Sequence, residues 1–192
     1  MLKRLPPRRR RMGLTDYRKR YKLVKSGLPR LVIRKTDRYV IVQVIKPKKG
    51  GDETLLTVTS KNLSKYGWKA GFKNTPAAYL TGLLAGMLAK KKGVEKAIVD
   101  TGLHRVIKGS KIFAVVKGFI DSGVEVPVDE DMLPDEERIK GAHISEYFRM
   151  VKEREGEVKV IQFSKSDENI YSNLEDHFSQ VKERILKEVE AA

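Results

Sequence analysis

A change of hydrophobic period at Pro29 limits the folds open to this chain. Between Pro29 and Ser60, three runs rich in β-branched residues, RLVIRK, YVIVQVIK and ETLLTVTS, are separated by the turn segments TDR and PKKGGD. Runs of this kind with short polar turns between them predict an antiparallel meander of three strands. An all-helical fold is therefore excluded.

A long apolar helix is predicted after the meander. Thr75 is its expected N-cap, Pro76 stands at its first position, and Gly93 follows its last turn. Gly82 and Gly86 form a GxxxG pair, but the segment is too short to span a membrane. We therefore expect the two glycines to allow close packing on the sheet.

The second half of the chain alternates between strands and helices. The segment KAIVDTG, residues 96–102, is expected to be a buried strand parallel to a neighbour, because a helix separates it from the meander. Ser110 should cap the next helix, and VEVP should form a brief strand or edge segment. An acidic loop, residues 128–138, should then lead into a single helix that ends near Glu155. This order predicts an α/β fold with a mixed sheet, formed by the meander followed by an αβα unit.

The C-terminal segment is predicted to end in an amphipathic helix. EVKVIQF, residues 157–163, is expected to be a strand or an extended crossing. The last helix should open with a capping box formed by Ser172 and Glu175. Its apolar stripe should dock on the rest of the protein, and consists of Leu174, Phe178, Val181, Ile185 and Val189.

We divide the chain into three segments. Residues 1–14 are predicted to be a basic extended arm, residues 15–150 an α/β domain, and residues 151–192 a C-terminal extension. The domain should begin with a basic helix capped by Thr15 and ended by Gly27. Its packing face should carry Tyr17, Tyr21 and Val24.

The net charge of +15 is concentrated at one end of the chain. Residues 1–49 hold 18 Lys or Arg and two acids, whereas residues 50–192 hold 22 basic and 23 acidic side chains. Such asymmetry indicates a segment that binds a polyanion. Pro6 and Pro7 oppose the amphipathic helix of a transit peptide. A polybasic membrane patch usually works with an acyl chain or an apolar face, and neither is evident in Met1 to Leu14, so we expect no membrane partner.

Other site chemistry has little support. The chain has no cysteine, which excludes a disulfide, a zinc finger and a thiol nucleophile and suits a reducing cytoplasm. Neither GxxxxGK[ST] nor GxGxxG occurs, so we expect no nucleotide cofactor. His143 and Glu146 could supply two metal ligands from one helix face, but nothing indicates further ligands. A structural or surface role for His143 is favoured.

A meander followed by an αβα unit is also the arrangement of RNase-H-like nucleases. Asp100, at the end of a buried strand, would be the first metal-binding carboxylate, with Asp121 or an acid within residues 129–137 as its partner. No second motif fixes these partners. The favoured interpretation is that Asp100 caps a turn and that the other acids lie on a solvated loop.

Several long blocks resemble the archaeal and eukaryotic form of universal large-subunit ribosomal protein number 18. They are TDYRKRYKLVKSGLPRLVIRKTDRYVIVQV, YGWKAGFKNTPAAYLTGLLAG, DTGL, GSKIFAVVKGFIDSGVEVP and GAHISEY, and together they cover about Arg8 to Tyr147. The resemblance implies an RNase-H-like core without catalytic use, in the cytoplasmic ribosome. It implies partners as well: 5S rRNA in the central protuberance, the large rRNA and neighbouring ribosomal proteins. A nuclease centred on Asp100 is the alternative. High Lys and Glu usage hints at a thermophilic source.

Basic residues of the N-terminal part are the predicted RNA contacts, because Arg and Lys supply most contacts to phosphate. These residues are Arg8, Arg9, Arg10, Arg11, Arg18, Lys19, Arg20, Lys22, Lys25, Arg30, Arg34, Lys35 and Arg38. Further candidates in loops and at helix starts are Tyr39, Trp68, Lys69, Asn74, Ser110 and Lys111. Ser110 and Lys111 open a helix whose backbone N–H groups can hold a phosphate. Tyr39 and Trp68 could equally be packing residues. No catalytic residue, metal ligand, cofactor or small-molecule substrate is expected.

Overall fold

A four-stranded mixed sheet forms the centre of the computed structural model, which describes residues 5–153, 163 and 168–191. The strands are β1 (Arg30–Lys35), β2 (Val40–Lys48), β3 (Gly51–Thr59) and β4 (Ile98–Asp100). The order is β3-β2-β1-β4, antiparallel within the meander and parallel between β1 and β4. The predicted α/β class, the meander and the parallel strand are confirmed. VEVP contributes an isolated parallel bridge between Glu125 and Lys96.

Helices surround the sheet. They are α1 (Arg8–Arg11), α2 (Tyr17–Lys25), α3 (Thr75–Lys91), α4 (Lys111–Asp121), α5 (Glu136–Lys140), α6 (Ala142–Glu153), α7 (Glu168–Ser172) and α8 (Leu174–Ala191). Two 3₁₀ helices, Ser60–Tyr66 and Glu130–Met132, join them. None of the helices in the described part of the chain has both the length and the apolar character needed to cross a membrane.

One apolar core joins the sheet to α3, α4 and α8. Leu31 and Ile33 of β1 point into it, as do Val42 and Val44 of β2, because alternate residues of a strand face the same side. Every residue of the predicted stripe on α8 is buried, and the ring of Phe178 lies 5.6 Å from that of Tyr79 on α3. The C-terminal helix therefore shares the core of the preceding domain, and the predicted boundary at residue 150 falls inside α6.

Glycines allow α3 and α4 to approach closely. A Cβ atom added to Gly82 would lie 2.1 Å from the carbonyl oxygen of Val115, and one added to Gly118 would lie 2.2 Å from that of Tyr79. Real Cβ atoms do not approach other atoms this closely, so the two helix backbones touch directly. The prediction that the GxxxG pair faces the sheet is therefore wrong, because Gly82 and Gly86 face α4.

Two helix starts differ by one residue from the predicted ones. Asp16, not Thr15, caps α2, since its carboxylate accepts from the backbone N–H groups of Arg18 at 2.9 Å and Lys19 at 3.2 Å. Asn74, not Thr75, caps α3, since its side-chain oxygen accepts from the N–H of Ala77 at 2.8 Å. In both cases the neighbouring side chain is the one that reaches the free N–H groups.

Three other predictions are changed by the structure. The arm is not extended throughout, because Pro7 opens the helical turn α1, where its fixed φ suits a helix start. The single helix expected up to Glu155 is two helices, α5 and α6, because Gly141 at φ +96° breaks it. EVKVIQF lies outside the described residues except for Phe163.

Candidate nucleic-acid interface

Helix α2 lies over the polar face of the sheet. Arg30 and Arg34 project from that face, and between it and α2 lies a cleft of about 590 Å³. No residue of α2 is buried, and Tyr21 is 68% exposed. The predicted packing face is wrong for Tyr21, which points to solvent.

Ion pairs and hydrogen bonds hold α2 in place instead. Arg20 Nη2 lies 2.8 Å from Asp52 Oδ2 on β3. Lys19 Nζ donates to the hydroxyl of Thr101 and to the carbonyl oxygen of Gly102, both at 3.3 Å. These two cations are therefore occupied by contacts within the protein, and they position the helix.

Asp100 lies at the centre of a buried ion-pair network below α2. Arg30 is 3% exposed, and its Nη1 and Nη2 lie 2.9 Å and 2.5 Å from Asp100 Oδ2 and Asp52 Oδ2. Asp100 Oδ1 is 3.1 Å from Arg34 Nη2 and accepts from the N–H of Gly102 at 2.9 Å. The hydrogen bond from the Gly102 N–H confirms that Asp100 caps the turn that follows β4. The guanidinium groups of Arg30 and Arg34 balance the charge of the carboxylate.

This network removes the basis of the nuclease alternative. A catalytic metal site needs clustered carboxylates facing an open position, whereas Asp100 faces Arg30 and Arg34. Within the described residues, no group of three or more His, Cys, Asp or Glu side chains could hold a metal ion. Arg30 and Arg34 are paired inside the protein, although the side chain of Arg34 is 38% exposed, and their contact with RNA stays a prediction.

Other cations of the N-terminal part remain exposed. None of them forms an ion pair with a described residue. They are Arg8, Arg10, Arg11, Arg18, Lys22, Lys25, Lys35 and Arg38. Arg9 is also exposed, but its Nε donates to the hydroxyl of Thr15 at 2.9 Å. We call these nine residues the N-terminal basic surface. Tyr39, half-buried, lies beside it.

The remaining candidates differ in accessibility. Trp68 is 2% exposed, donates to the carbonyl oxygen of Gly71 at 3.3 Å and stacks on His177 at 5.0 Å. It is a core residue and is not free to stack on a base. Lys69 is exposed, and the side-chain oxygen of Asn74 is used as the cap of α3. Ser110 occupies the predicted N-cap position of α4 and Lys111 its first turn, but the Ser110 side chain makes no capping hydrogen bond.

The family model described as "Ribosomal large subunit proteins 60S L5, and 50S L18" matches residues 3–95 and 86–129 of the chain. The chain belongs to this family of ribosomal proteins, called uL18 in the names of its relatives. The large ribosomal subunit protein uL18 of Methanothermobacter thermautotrophicus is 50% identical over 184 residues, which are 95% of this chain and 94% of that protein. The uL18 of Caldivirga maquilingensis is 48% identical over 187 residues, 94% of this chain and 90% of that protein.

The uL18 family consists of structural ribosomal proteins and not of enzymes. Membership thus confirms the family recognised in the sequence, and it agrees with the pairing of Asp100 by two arginines. The archaeal sources of these relatives match the expected archaeal type.

Sequence reasoning missed several exposed or half-buried cations of this uL18 family member. Lys73 precedes α3, Arg105 and Lys108 follow β4, and Arg138 lies on α5. Together with Lys111 they line one cleft. The basic KGSK segment at residues 108–111 could have indicated Lys108 as a candidate contact. Arg138 follows acidic residues in the sequence, so no local pattern indicated it.

The stability of the protein should fall on mild acidification. Burial, and then the charges of Lys69 and Arg184, lower the pKa of His177 below its ordinary value, and its Nε2 accepts from the N–H of Lys69 at 3.2 Å. The unfolded chain therefore binds a proton more readily than the folded one, so lowering the pH favours unfolding. We expect the melting temperature to drop between about pH 7.5 and 5.5.

The variant His177→Gln isolates this contribution. It keeps a side-chain acceptor near Lys69 but cannot be protonated, so its melting temperature should depend less on pH than that of the wild type. Burial also lowers the pKa of His104 and of His143, and both titrate equally in the two proteins. Identical pH profiles for the wild type and the variant would contradict the assignment.

Proposed function

We propose that this protein is a constituent of the large ribosomal subunit that binds 5S rRNA and attaches it to the large rRNA in the central protuberance. Family membership supports a ribosomal role. The observation that carries the RNA-binding part is the N-terminal basic surface, whose side chains face solvent without described acidic partners. Phosphate oxygens of a folded RNA are the ligand that suits such a surface.

The described cations of the first 38 residues divide into two groups with different tasks. Lys19 and Arg20 fix α2 to the sheet and the loop after β4, and Arg30 and Arg34 pair with acids of the sheet beneath it. The N-terminal basic surface, held outward by this scaffold, binds phosphates. Because α2 is positioned before RNA arrives, its contacts require less ordering on binding than those of a free arm.

Other partners follow from the ribosomal role. Neighbouring ribosomal proteins of the central protuberance and the large rRNA would contact surfaces that 5S rRNA leaves free. The protein would act in the cytoplasmic ribosome, without a cofactor or a small-molecule substrate.

The triple variant R8Q/R10Q/R11Q tests this proposal. Its binding to a 5S rRNA transcript should weaken, and the slope of log binding constant against log salt concentration should fall by about 0.7 to 0.9 for each phosphate that the variant no longer binds. The variant K61Q/K65Q/K90Q is the matched control, because it removes three exposed charges remote in sequence from the N-terminal basic surface. Filter binding at several salt concentrations measures both slopes.

The outcomes separate two questions. If the wild-type protein does not bind the 5S rRNA transcript, the proposed function is wrong. If the wild type binds but R8Q/R10Q/R11Q has an unchanged slope, α1 is not part of the 5S rRNA interface. A slope that falls equally in K61Q/K65Q/K90Q would mean that total charge, and not this surface, determines binding.

A further inference from the structure

A second cationic cleft lies where the parallel strands β1 and β4 end. It has a volume of about 670 Å³, and its basic lining comes from distant parts of the chain. These residues are Lys35, which also belongs to the N-terminal basic surface, and Lys73, Arg105, Lys108, Lys111 and Arg138. Lys35 ends β1, Lys73 precedes α3, Lys111 opens α4 and Arg138 lies on α5. We call it the strand-end cleft.

A hydrogen bond links the two strand ends that form its wall. The backbone N–H of Lys35 donates to Nε2 of His104 at 3.1 Å, which ties the loop after β4 to the end of β1. Lys35 and the loop residues Arg105 and Lys108 are thereby kept on the same side. Lys35 and the loop after β4 lie at the same edge of the sheet because β1 and β4 are parallel, although β1 continues past the end of β4 to Lys35.

The strand-end cleft differs from the cleft below α2 in its charge balance. Asp16, Asp52 and Asp100 line the cleft below α2, whereas no acidic residue lines the strand-end cleft. Of the six basic residues that line the cleft, Lys73 alone has an ion-pair partner among the described residues. That partner is Asp37, at 3.9 Å, and its carboxylate is fully exposed. The positive charge of Lys35, Arg105, Lys108 and Lys111 is therefore not compensated by a described ion pair. Arg138 also borders a neighbouring cleft whose lining includes Asp135, Glu137, Glu146 and Glu175.

Like charges brought together in this way repel one another. Burial lowers the pKa of Lys111, and the charges of Lys73, Lys35 and Arg138 lower it further. Ser110 Oγ, next to Lys111, is buried without a hydrogen-bond partner among the described residues. A bound anion would relieve the repulsion and accept from the hydroxyl and from the first N–H groups of α4.

We propose that the strand-end cleft is a second phosphate-binding site, which takes backbone phosphates of a 5S rRNA segment other than the one on the N-terminal basic surface. The inference rests on the proposed function. An RNA already held by the N-terminal basic surface presents its other phosphates at high effective concentration, so a second cationic cleft on the same chain adds affinity. Lys73, Lys111 and Arg138 are the principal donors, and Lys73 and Arg138 were not among the predicted contacts.

The triple variant K73Q/K111Q/R138Q tests the inference, with K61Q/K65Q/K90Q as the control of equal charge. The salt slope for a 5S rRNA transcript should fall by about 2 if each of the three cations binds one phosphate in the wild type. Ethylation interference should then show that the phosphates affected differ from those affected in R8Q/R10Q/R11Q. Since Lys111 is half-buried, circular dichroism checks the fold, and the double variant K73Q/R138Q repeats the measurement on a less invasive change.

Each possible result either supports or overturns the strand-end cleft as a second phosphate-binding site. A smaller slope together with a separate set of phosphates supports the strand-end cleft as a second site. An unchanged slope in a wild-type background that binds 5S rRNA overturns this inference alone, and would point to an acidic protein segment as the occupant. An effect on the same phosphates as in R8Q/R10Q/R11Q, or an equal effect in the control, also overturns it. Failure of the wild type to bind 5S rRNA overturns the inference and the proposed function together.

Discussion

Replacing Asp100 with alanine is expected to lower the free energy of unfolding by about 3 to 5 kcal/mol, as when one partner of a buried ion pair is removed. The change leaves the guanidinium of Arg30 buried at 3% exposure, with Asp52 as its remaining described ion-pair partner. It also removes the acceptor for the N–H of Gly102. Urea unfolding followed by circular dichroism measures the loss.

Arg34→Gln is the matched control for this prediction. Arg34 contacts the same carboxylate, but its side chain is 38% exposed, so its replacement should cost about 1 kcal/mol or less. If Asp100→Ala is no more destabilising than Arg34→Gln, Asp100 is not the centre of the network. Asp100→Asn, which keeps an oxygen acceptor, should retain 5S rRNA binding, since it removes no cation that could bind phosphate.

The second large effect is expected at the crossing of α3 and α4. Gly82→Ala should lower the free energy of unfolding by about 1 to 3 kcal/mol, because the added Cβ atom would overlap the backbone of Val115 and force the helices apart. Alanine in an open helix position is more favourable than glycine by about 1 kcal/mol. The sign of the change therefore reports directly on how closely the helices pack.

Gly86→Ala provides the comparison on the same helix face. Its nearest neighbour would be the hydroxyl of Ser122, which can rotate away, although Ser122 Cβ lies at 2.9 Å and the carbonyl oxygen of Phe119 at 3.0 Å. We expect a smaller loss of stability than for Gly82→Ala. A stabilising Gly82→Ala, or equal losses of stability at the two sites, would contradict direct backbone packing at Gly82. Thermal unfolding of both variants at one pH measures the difference.

Local features of the fold were predictable from local sequence. The meander follows from β-branched runs with turns between them, and Gly27 and Gly93 do end their helices in the left-handed region, at φ +71° and +74°. The stripe of α8 is buried as its spacing predicts. Two of the predicted caps, Thr15 and Thr75, were displaced by one residue, because neighbouring Asp16 and Asn74 are also good caps and sequence alone does not rank them.

Partners distant in sequence were not predictable. The GxxxG pair predicted that another element packs closely against α3, but it did not identify α4 as that element. The apolar pattern of α4, which carries the facing Gly118, does not show which element packs against it. Trp68 is buried because α8 brings His177 over its ring from more than a hundred positions away. A loop tryptophan gives no sign of such a neighbour.

The sequence by itself determined that a basic N-terminal segment, suited to a polyanion, precedes an α/β domain, because charge and periodicity are properties of residues and their near neighbours. Only the tertiary structure decided which cations are free. Arg30 meets Asp52 and Asp100 across 22 and 70 positions of chain and is drawn into the interior. The same folding brings Lys73, Lys111 and Arg138 from three separate segments to one cleft that no acidic residue lines, because side chains distant in sequence become neighbours only when the chain packs.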